Sequence, residues 1–295
     1  TWVDALFTAT SATCVTGLAV VDTGTAFTTF GQVVILMLIQ LGGLGIMTYA
    51  SLFFYLWRRR VSLTDHIAVG QSLLQDPSFH LGHFLLRVVA CVAVIEALGA
   101  LFLYLIDPEG FGPFSAVFHS VSAFCNAGFG LFPDSLMRYR GSLGVNLVIM
   151  ILILLGGLGF TVLVELYRLT RQRFPRRDRR LPPRGLSWYA RTVLGTSAFL
   201  VVAGAALLYL GELNTGSAGA SQTDAVLAAL FQSVTCRTAG FNTLDVGRMG
   251  EASLVIMILL MFIGGSPGSC AGGIKTTTFR VLVAFGRAQM RGRRQ

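Results

Sequence analysis

The sequence predicts an all-α integral membrane protein built from tandem repeats of helix, short helix, Gly-centred loop and helix. Three observations lead there. The first is composition: 54% of the 295 residues are hydrophobic and only 13% charged, with a mean hydropathy of +0.68, against about 25% charged residues in a soluble domain. The second is a set of apolar runs of roughly 20 residues, the length that crosses a hydrocarbon core of about 30 Å. The third is recurrence. Gly17, Gly128 and Gly240 lie 111 and 112 residues apart. Each follows a mildly apolar segment: "DALFTATSAT", "FSAVFHSVSAF" or "DAVLAALFQSVT". Each precedes an acid (Asp22, Asp134, Asp245) and then a long apolar run ending in "GGLGI", "GGLGF" or "GGSPG". A fixed internal period marks a repeat architecture.

The elements follow in order. Residues 1–60 are a first repeat: a short helix, a loop around Gly17 and a second helix over about 31–57. Its first helix is missing. Residues 61–82 form a cytoplasmic linker. Residues 83–168 are the second repeat, with spans at 83–106 and 143–167 and a short helix at 114–124. Eleven helical residues cover only about 16 Å and do not cross. Residues 169–187 are a basic cytoplasmic linker. Residues 188–288 are the third repeat, with spans near 188–211 and 250–263, a short helix near 224–235 and an intramembrane loop at 264–277. Residues 289–295 are a basic cytoplasmic end.

Charge sets the orientation. The net charge is +9, and arginines cluster at Arg58–Arg60, between Arg168 and Arg184, and between Arg287 and Arg294. These clusters flank apolar spans, which is the positive-inside pattern and not the footprint of a nucleic-acid binder. The 168–184 segment is a topology determinant first, with anionic lipid or a partner subunit as further contacts. The acids Asp4, Asp22, Asp107, Glu109, Asp134, Glu212, Asp224, Asp245 and Glu251 fall on the outer side, chiefly as solvated loop charges. Two crossings separate the first two arginine clusters, so residues 114–129 must leave and return on the outer face. A short helix with a Gly-rich return is a re-entrant loop. Non-helical backbone at that depth is tolerated only inside protein or along a water-filled cavity.

Several such loops around one axis would present a ring of carbonyl oxygens, which can replace the hydration shell of a cation. Each short helix would aim the negative end of its dipole at the membrane centre. "VTG", "NAG" and "TAG" carry no carboxylate, so any selectivity would rest on oxygen dipoles.

The motifs "TATSATCVTGLAVVD", "SVSAFCNAGFGLFPDS" and "FQSVTCRTAGFNTLD" closely resemble successive filter segments of the Trk/Ktr/HKT potassium transporter superfamily. "GGSPGSCAGGIKTTTF", residues 264–279, resembles that superfamily's intramembrane loop. The resemblance implies a potassium-channel-like pseudo-fourfold architecture of four repeats, with Gly17, Gly128 and Gly240 as three of four filter glycines. It implies that the carbonyls of Val15, Thr16, Asn126, Ala127, Thr238 and Ala239 contact K+, the transported ion. It implies that the 264–277 loop obstructs the pore until a cytoplasmic nucleotide-binding regulatory ring moves it. It implies a homodimer in the cell membrane, with no cofactor in this chain. Against that pattern the first outer helix and the fourth repeat are absent, so the expectation is a partial sequence. The family also more often has Thr, Ser or Asn where Cys14, Cys125 and Cys236 precede the glycines. They are expected to be small pore-helix residues, with a three-thiolate soft-metal site as the minority alternative.

Other residues bear on the gate. Gly264, Gly265, Pro267, Gly268, Gly272 and Gly273 break a helix in mid-membrane, where broken helices mark ion sites and gates. "GSCAGGIKT" is not a phosphate-binding loop, because Ile274 separates the second glycine from Lys275 and no strand precedes it. Lys275 either faces the path and repels cations or snorkels to the cytoplasmic interface. Arg237 is expected to pair with a nearby acid and brace the third loop. Glu96 is expected to be buried between helices. The "GGLG" segments at 42–45 and 156–159 read as close-packing helix surfaces, and His119 as a packing residue. The expected function is K+ uptake. A sodium or mixed-cation transporter of the same fold is the near alternative. An ion-coupled transporter of an organic substrate is the distant one, because it predicts inverted repeats. No catalytic constellation is expected: the sequence has no HExxH and no plausible cluster of intramembrane Asp or His, so no enzyme is expected.

Overall fold

The computed structural model describes residues 1–45, 81–172, 185–213 and 221–291. Arg58–Arg60, nearly all of the 61–82 linker, and the arginines at 173–184 and 293–294 lie outside the described residues. So do residues 46–57 of the first repeat's second helix and the side chain of Glu212.

Among the described residues every regular element is a helix. The helices are α1 (Trp2–Thr13), α2 (Thr23–Ala26), α3 (Thr29–Leu44), α4 (Leu81–Ile106), α5 (Pro113–Phe124), α6 (Leu143–Leu158), α7 (Phe160–Gln172), α8 (Trp188–Leu213), α9 (Gln222–Thr235), α10 (Glu251–Phe262) and α11 (Thr276–Met290). Two are long and apolar enough to cross a bilayer: α4 over Val88–Ile106, with hydropathy 2.5, and α8 over Trp188–Gly211, with hydropathy 2.1. The outward faces keep large apolar side chains exposed, including Val255, Ile258, Leu259 and Phe262 on α10. That is the surface a lipid solvent requires.

The expected span over 143–167 is not one helix. α6 and the first part of α7 meet at an angle of 105°. The cause is Gly159, with φ +82° and ψ 150°, a conformation that L side chains rarely adopt. α3 ends the same way, at Gly45 with φ +84°.

The three short helices expected before the glycine loops are α1, α5 and α9. α5 starts with Pro113 at its first turn, where the missing N–H costs nothing. Its inner half is fully enclosed: residues 118–127 are all buried, and Phe118, Phe124 and Phe129 belong to the central core. Each of α5 and α9 is tied to the preceding long helix by one serine. Ser120 Oγ donates to the Glu96 carbonyl at 2.7 Å, and Ser233 Oγ donates to the Val201 carbonyl at 2.8 Å. Gly99 and Gly204 make room for these hydroxyls, since a Cβ on either would sit 2.5 Å from the serine oxygen.

The recurring acids organise the outer loops. Asp22 caps α2 by accepting from Gly24 N at 3.4 Å. Asp245 accepts from Gly247 N at 3.0 Å and pairs with Arg248 at 3.2 Å. Asp134 pairs with Arg138 at 3.0 Å, which holds its carboxyl below the usual carboxylate range. Asp107 accepts from Gly110 N at 3.1 Å and from the Tyr139 hydroxyl at 2.8 Å, and both bonds lower its pKa. Tyr139 is pushed up to about 12, first by desolvation and then by this bond.

Candidate functional site

Each short helix ends at a cysteine in right-handed conformation: Cys14, Cys125 or Cys236. The backbone then changes hand. Val15, Asn126 and Thr238 have φ of +55°, +55° and +68°, and the glycines two residues on have +77° (Gly17), +72° (Gly128) and +85° (Gly240). Thr16, Ala127 and Ala239 between them stay outside the left-handed region. An alternation of hand turns successive carbonyls to one side of the strand, which an extended or helical segment cannot do. A positive φ is costly for a branched residue such as Val15 or Thr238 and persists only where the surroundings fix it.

The surroundings do so. Thr16 N donates to the Ser11 carbonyl at 2.9 Å, Ala127 N to Ser122 at 2.8 Å and Ala239 N to Thr235 at 2.9 Å. Ser122 Oγ holds the Phe129 carbonyl at 2.7 Å, and Thr235 Oγ1 holds the Phe241 carbonyl at 2.7 Å. His119 Nε2 accepts from Leu131 N at 3.3 Å, its ring stacks on Phe132, and the loop beyond Gly128 is thereby anchored. The expected packing role of His119 thus includes a backbone contact.

The loops adjoin one another in chain order. A Cβ on Gly17 would lie 2.5 Å from the Ala127 oxygen; one on Gly128 would lie 2.7 Å from the Ala239 oxygen and 3.0 Å from Gly240 Cα. The nine residues singled out from the sequence therefore form one cluster: Val15, Thr16 and Gly17, then Asn126, Ala127 and Gly128, then Thr238, Ala239 and Gly240. Chemically it is a cluster of backbone dipoles with no carboxylate.

The 264–277 segment is non-helical until Thr276. Its neck is closed by Gly264 N to the Ile274 carbonyl at 3.1 Å, Ile274 N to Phe262 at 3.0 Å and Thr276 N to Gly265 at 3.0 Å. Gly268 and Gly273 both have φ of +68°. Pro267 accepts from the Tyr189 hydroxyl at 3.2 Å. Lys275 Nζ turns back to the Ala271 carbonyl at 2.7 Å and is half-buried, so its ammonium closes the loop on itself.

The loop sits in the break of the second repeat. Ser266 N donates to the Gly157 carbonyl at 3.0 Å, Cys270 N to Gly156 at 3.2 Å, and Phe160 N to Gly268 at 3.1 Å, while Ser266 Oγ bonds the Leu158 carbonyl. The "GGLG" at 156–159 does pack closely, with Gly156 against the Phe124 carbonyl of α5. It is also the seat of the intramembrane loop, because the broken helix frees carbonyls for outside donors. The run of glycines was the available signal, but it reads equally as plain helix packing.

Arg237 corrects an expectation. It is buried, and among the described residues it makes no ion pair with an acid. Its Nη2 donates instead to Ser197 Oγ at 3.2 Å and to the Gly264 carbonyl at 3.1 Å. Glu96 is buried as expected, and its partners are now identified. Gln40 Nε2 donates to its carboxylate at 3.0 Å, and the Cys125 thiol lies 3.9 Å from it and 3.7 Å from Gln40 Oε1. Cys14 is exposed, whereas Cys125 and Cys236 are buried. Among the described residues no three His, Cys, Asp or Glu side chains gather as metal ligands.

Comparison with known proteins places this geometry. Residues 1–295 match the TrkH family of cation transport proteins. The chain is 44% identical to the Ktr system potassium uptake protein B of Bacillus subtilis (strain 168), over 100% of this chain and 65% of that protein. It is 41% identical to the protein of the same name from Vibrio alginolyticus, over 94% of this chain and 60% of that one. It is 33% identical to the potassium/sodium uptake protein NtpJ of Enterococcus hirae, over 99% and 63%. The chain therefore spans a little under two thirds of the length of these relatives. Its fold matches the crystal structure of the potassium transporter TrkH from Vibrio parahaemolyticus with a TM-score of 0.77 at 22% identity, covering 99% of this chain and 56% of that one. Three glycine loops of alternating hand, a broken second helix and similarity to transport proteins along the whole of this chain agree: this multi-pass membrane chain belongs to the TrkH family of cation transport proteins.

Proposed function

We propose that this chain supplies three walls of a channel-like pore that takes K+ into the cell across the cell membrane. The observation that carries the proposal is the shared alternation of hand in the three glycine loops together with their mutual contact. The carbonyls of Val15, Thr16, Asn126, Ala127, Thr238 and Ala239 would replace water around a dehydrated monovalent cation. Gly17, Gly128 and Gly240 permit the backbone that this requires. The loop over 264–277, with Lys275 folded onto it, acts as the gate. A homodimer and a cytoplasmic nucleotide-binding ring complete the proposed assembly.

The test is rubidium uptake by potassium-deficient cells expressing the chain with whatever flanking sequence its gene encodes. Gly128→Ser combines an unfavourable φ with a Cβ 2.7 Å from the Ala239 oxygen. Uptake should persist with reduced discrimination against Na+, or be lost. Full K+/Na+ discrimination in that variant would remove Gly128 from the filter. A sodium or mixed-cation pore is the second reading, supported by the likeness to a protein named for potassium and sodium uptake. Competition of Na+ with Rb+ separates the two.

A further inference from the structure

The third filter loop differs from the others at one place. Ser11 and Ser122 precede their glycines by six residues, whereas Thr235, which makes the same hydroxyl-to-carbonyl bond as Ser122, precedes Gly240 by five. Counted from the cysteine that ends the helix, the third loop is one residue longer, Cys236 preceding Gly240 by four residues where Cys14 and Cys125 precede their glycines by three, and in this longer stretch stand Arg237 and Thr238. Arg237 Nη2 donates to the Gly264 carbonyl at 3.1 Å, and Thr238 Oγ1 accepts from Gly272 N at 3.0 Å. Two consecutive residues of one filter loop thus hold both ends of the intramembrane loop. Gly264 and Gly272 are themselves in contact at the neck, where a Cβ on Gly264 would collide with the Gly272 carbonyl. Among the described residues neither other loop has this connection: Val15 has no hydrogen-bonding side chain, and both polar atoms of the Asn126 amide are buried without a hydrogen-bond partner there.

We infer that Arg237 and Thr238 are positioning residues that couple ion occupancy of the third filter loop to the position of the intramembrane loop. The inference rests on the cation-pore reading above. Thr238 is β-branched and held at a φ of +68°, a conformation it keeps only under outside constraint. Gly272 N–H is one such constraint. When the intramembrane loop leaves, Thr238 loses that bond and the carbonyls of Thr238 and Ala239 are free to turn. Linkage is reciprocal. A cation that fits those carbonyls therefore favours the docked loop, and one that fits them poorly does not.

The experiment uses the full gene product in liposomes and two readouts. One is unstimulated Rb+ efflux. The other is the rate at which a maleimide labels Cys270, a half-buried thiol of the loop, measured by mass spectrometry of its peptide in K+ and in Na+. Wild type should conduct Rb+, and K+ should slow Cys270 labelling relative to Na+. Thr238→Val should abolish that ion dependence and raise unstimulated efflux about fivefold, the factor expected for loss of one ordinary hydrogen bond. Thr238→Ser keeps the hydroxyl and should restore both. Arg237→Met tests the other anchor by the same two readouts, so the coupling is decided even where one variant misfolds. If wild type conducts no Rb+, the pore reading fails. If wild type conducts but Thr238→Val and Arg237→Met keep its ion-dependent labelling and its efflux, the coupling is wrong and the pore reading stands.

Discussion

Gly156 and Gly157 are neighbours on one helix, and substituting each by alanine should have opposite effects. A Cβ on Gly156 would lie 1.8 Å from the Phe124 carbonyl oxygen and 2.9 Å from its carbon. Ordinary contact begins at 3.4 Å, so α6 and α5 would have to separate by well over an ångström. The obstacle is backbone, not the far end of a flexible side chain. Overpacking of this kind costs about 1–3 kcal/mol, and the helix propensity of alanine returns at most about 1 kcal/mol. A Cβ on Gly157 meets nothing closer than Asn126 Nδ2 at 3.8 Å, so only the favourable propensity effect remains. Gly156→Ala should therefore lower the thermal midpoint of the detergent-solubilised protein, and Gly157→Ala should leave it unchanged or raise it slightly. Because Phe124 directly precedes Cys125 and the second glycine loop, the proposed filter role predicts that Gly156→Ala also weakens K+/Na+ discrimination in rubidium uptake. Fluorescence-detected gel filtration after heating measures the first effect. A Gly156→Ala protein as stable as wild type would refute the assigned contact between α6 and the end of α5.

Other outcomes follow from the same geometry. Gly159→Ala places a side chain at a φ of +82° and 2.6 Å from Ser266 Oγ, so it should unseat the intramembrane loop and raise unstimulated flux, which a liposome efflux assay would detect. Ser122→Ala removes the bond to the Phe129 carbonyl and should cost about 1 kcal/mol of stability, with a loss of ion discrimination that Ser122→Thr restores. Glu96→Gln keeps a hydrogen-bonding side chain beside Gln40 and should be tolerated, whereas Glu96→Leu leaves Gln40 Nε2 unpaired and should cost about 1–3 kcal/mol in thermal unfolding. Asp107 and Asp134 have depressed folded pKa values, so their contribution is full above the unfolded value of about 4 and is lost as pH falls through the folded values. The thermal midpoint should drop on acidification below about pH 4, and less steeply in Asp107→Asn.

The glycine loops were legible because the pattern occurs three times. One "CVTGL" is a turn, whereas three copies at constant spacing, each behind a helix too short to cross, define a site. What sequence could not show was backbone hand at non-glycine positions. Val15, Asn126 and Thr238 are left-handed; asparagine tolerates that region, but the β-branched Val15 and Thr238 announce the opposite preference. Their conformation comes from bonds that no single residue announces, local ones such as Ala127 N to the Ser122 carbonyl and tertiary ones such as Gly272 N to Thr238 Oγ1. The partner of Arg237 was invisible for a related reason. Sequence suggests acids for a buried cation, but the neutralising dipole here is the Gly264 carbonyl, and a carbonyl has no residue identity. The helix break at Gly159 was hidden because glycine inside an apolar run has two uses, close packing and chain reversal, and residues 156–159 serve both.

These omissions share a physical origin. At the end of the second helix of each repeat, or just past it, stand a glycine pair and then a left-handed glycine: Gly45 at +84°, Gly159 at +82° and Gly268 at +68°. In the second repeat α7 resumes at once, at Phe160, whereas in the third α11 resumes only at Thr276. The intramembrane loop is thus an elaboration of a break that the other repeats also carry, and not an unrelated insertion. This explains where it docks. A break at the same level in the second repeat leaves the Gly156, Gly157 and Leu158 carbonyls without helical donors, and the loop supplies Cys270 N, Ser266 N and Ser266 Oγ to them. In hydrocarbon, where each unsatisfied group costs several kcal/mol, neither break is stable alone. Each provides what the other lacks, so displacing the loop must expose at least those three carbonyls to water or to new donors. On the proposed gating role, a loop held in this way moves only when the cavity beside it is wet. Water entry and loop movement should therefore be a single step, visible as simultaneous gain of hydrogen exchange at Ser266 and Cys270. Exchange at one without the other would separate the two events.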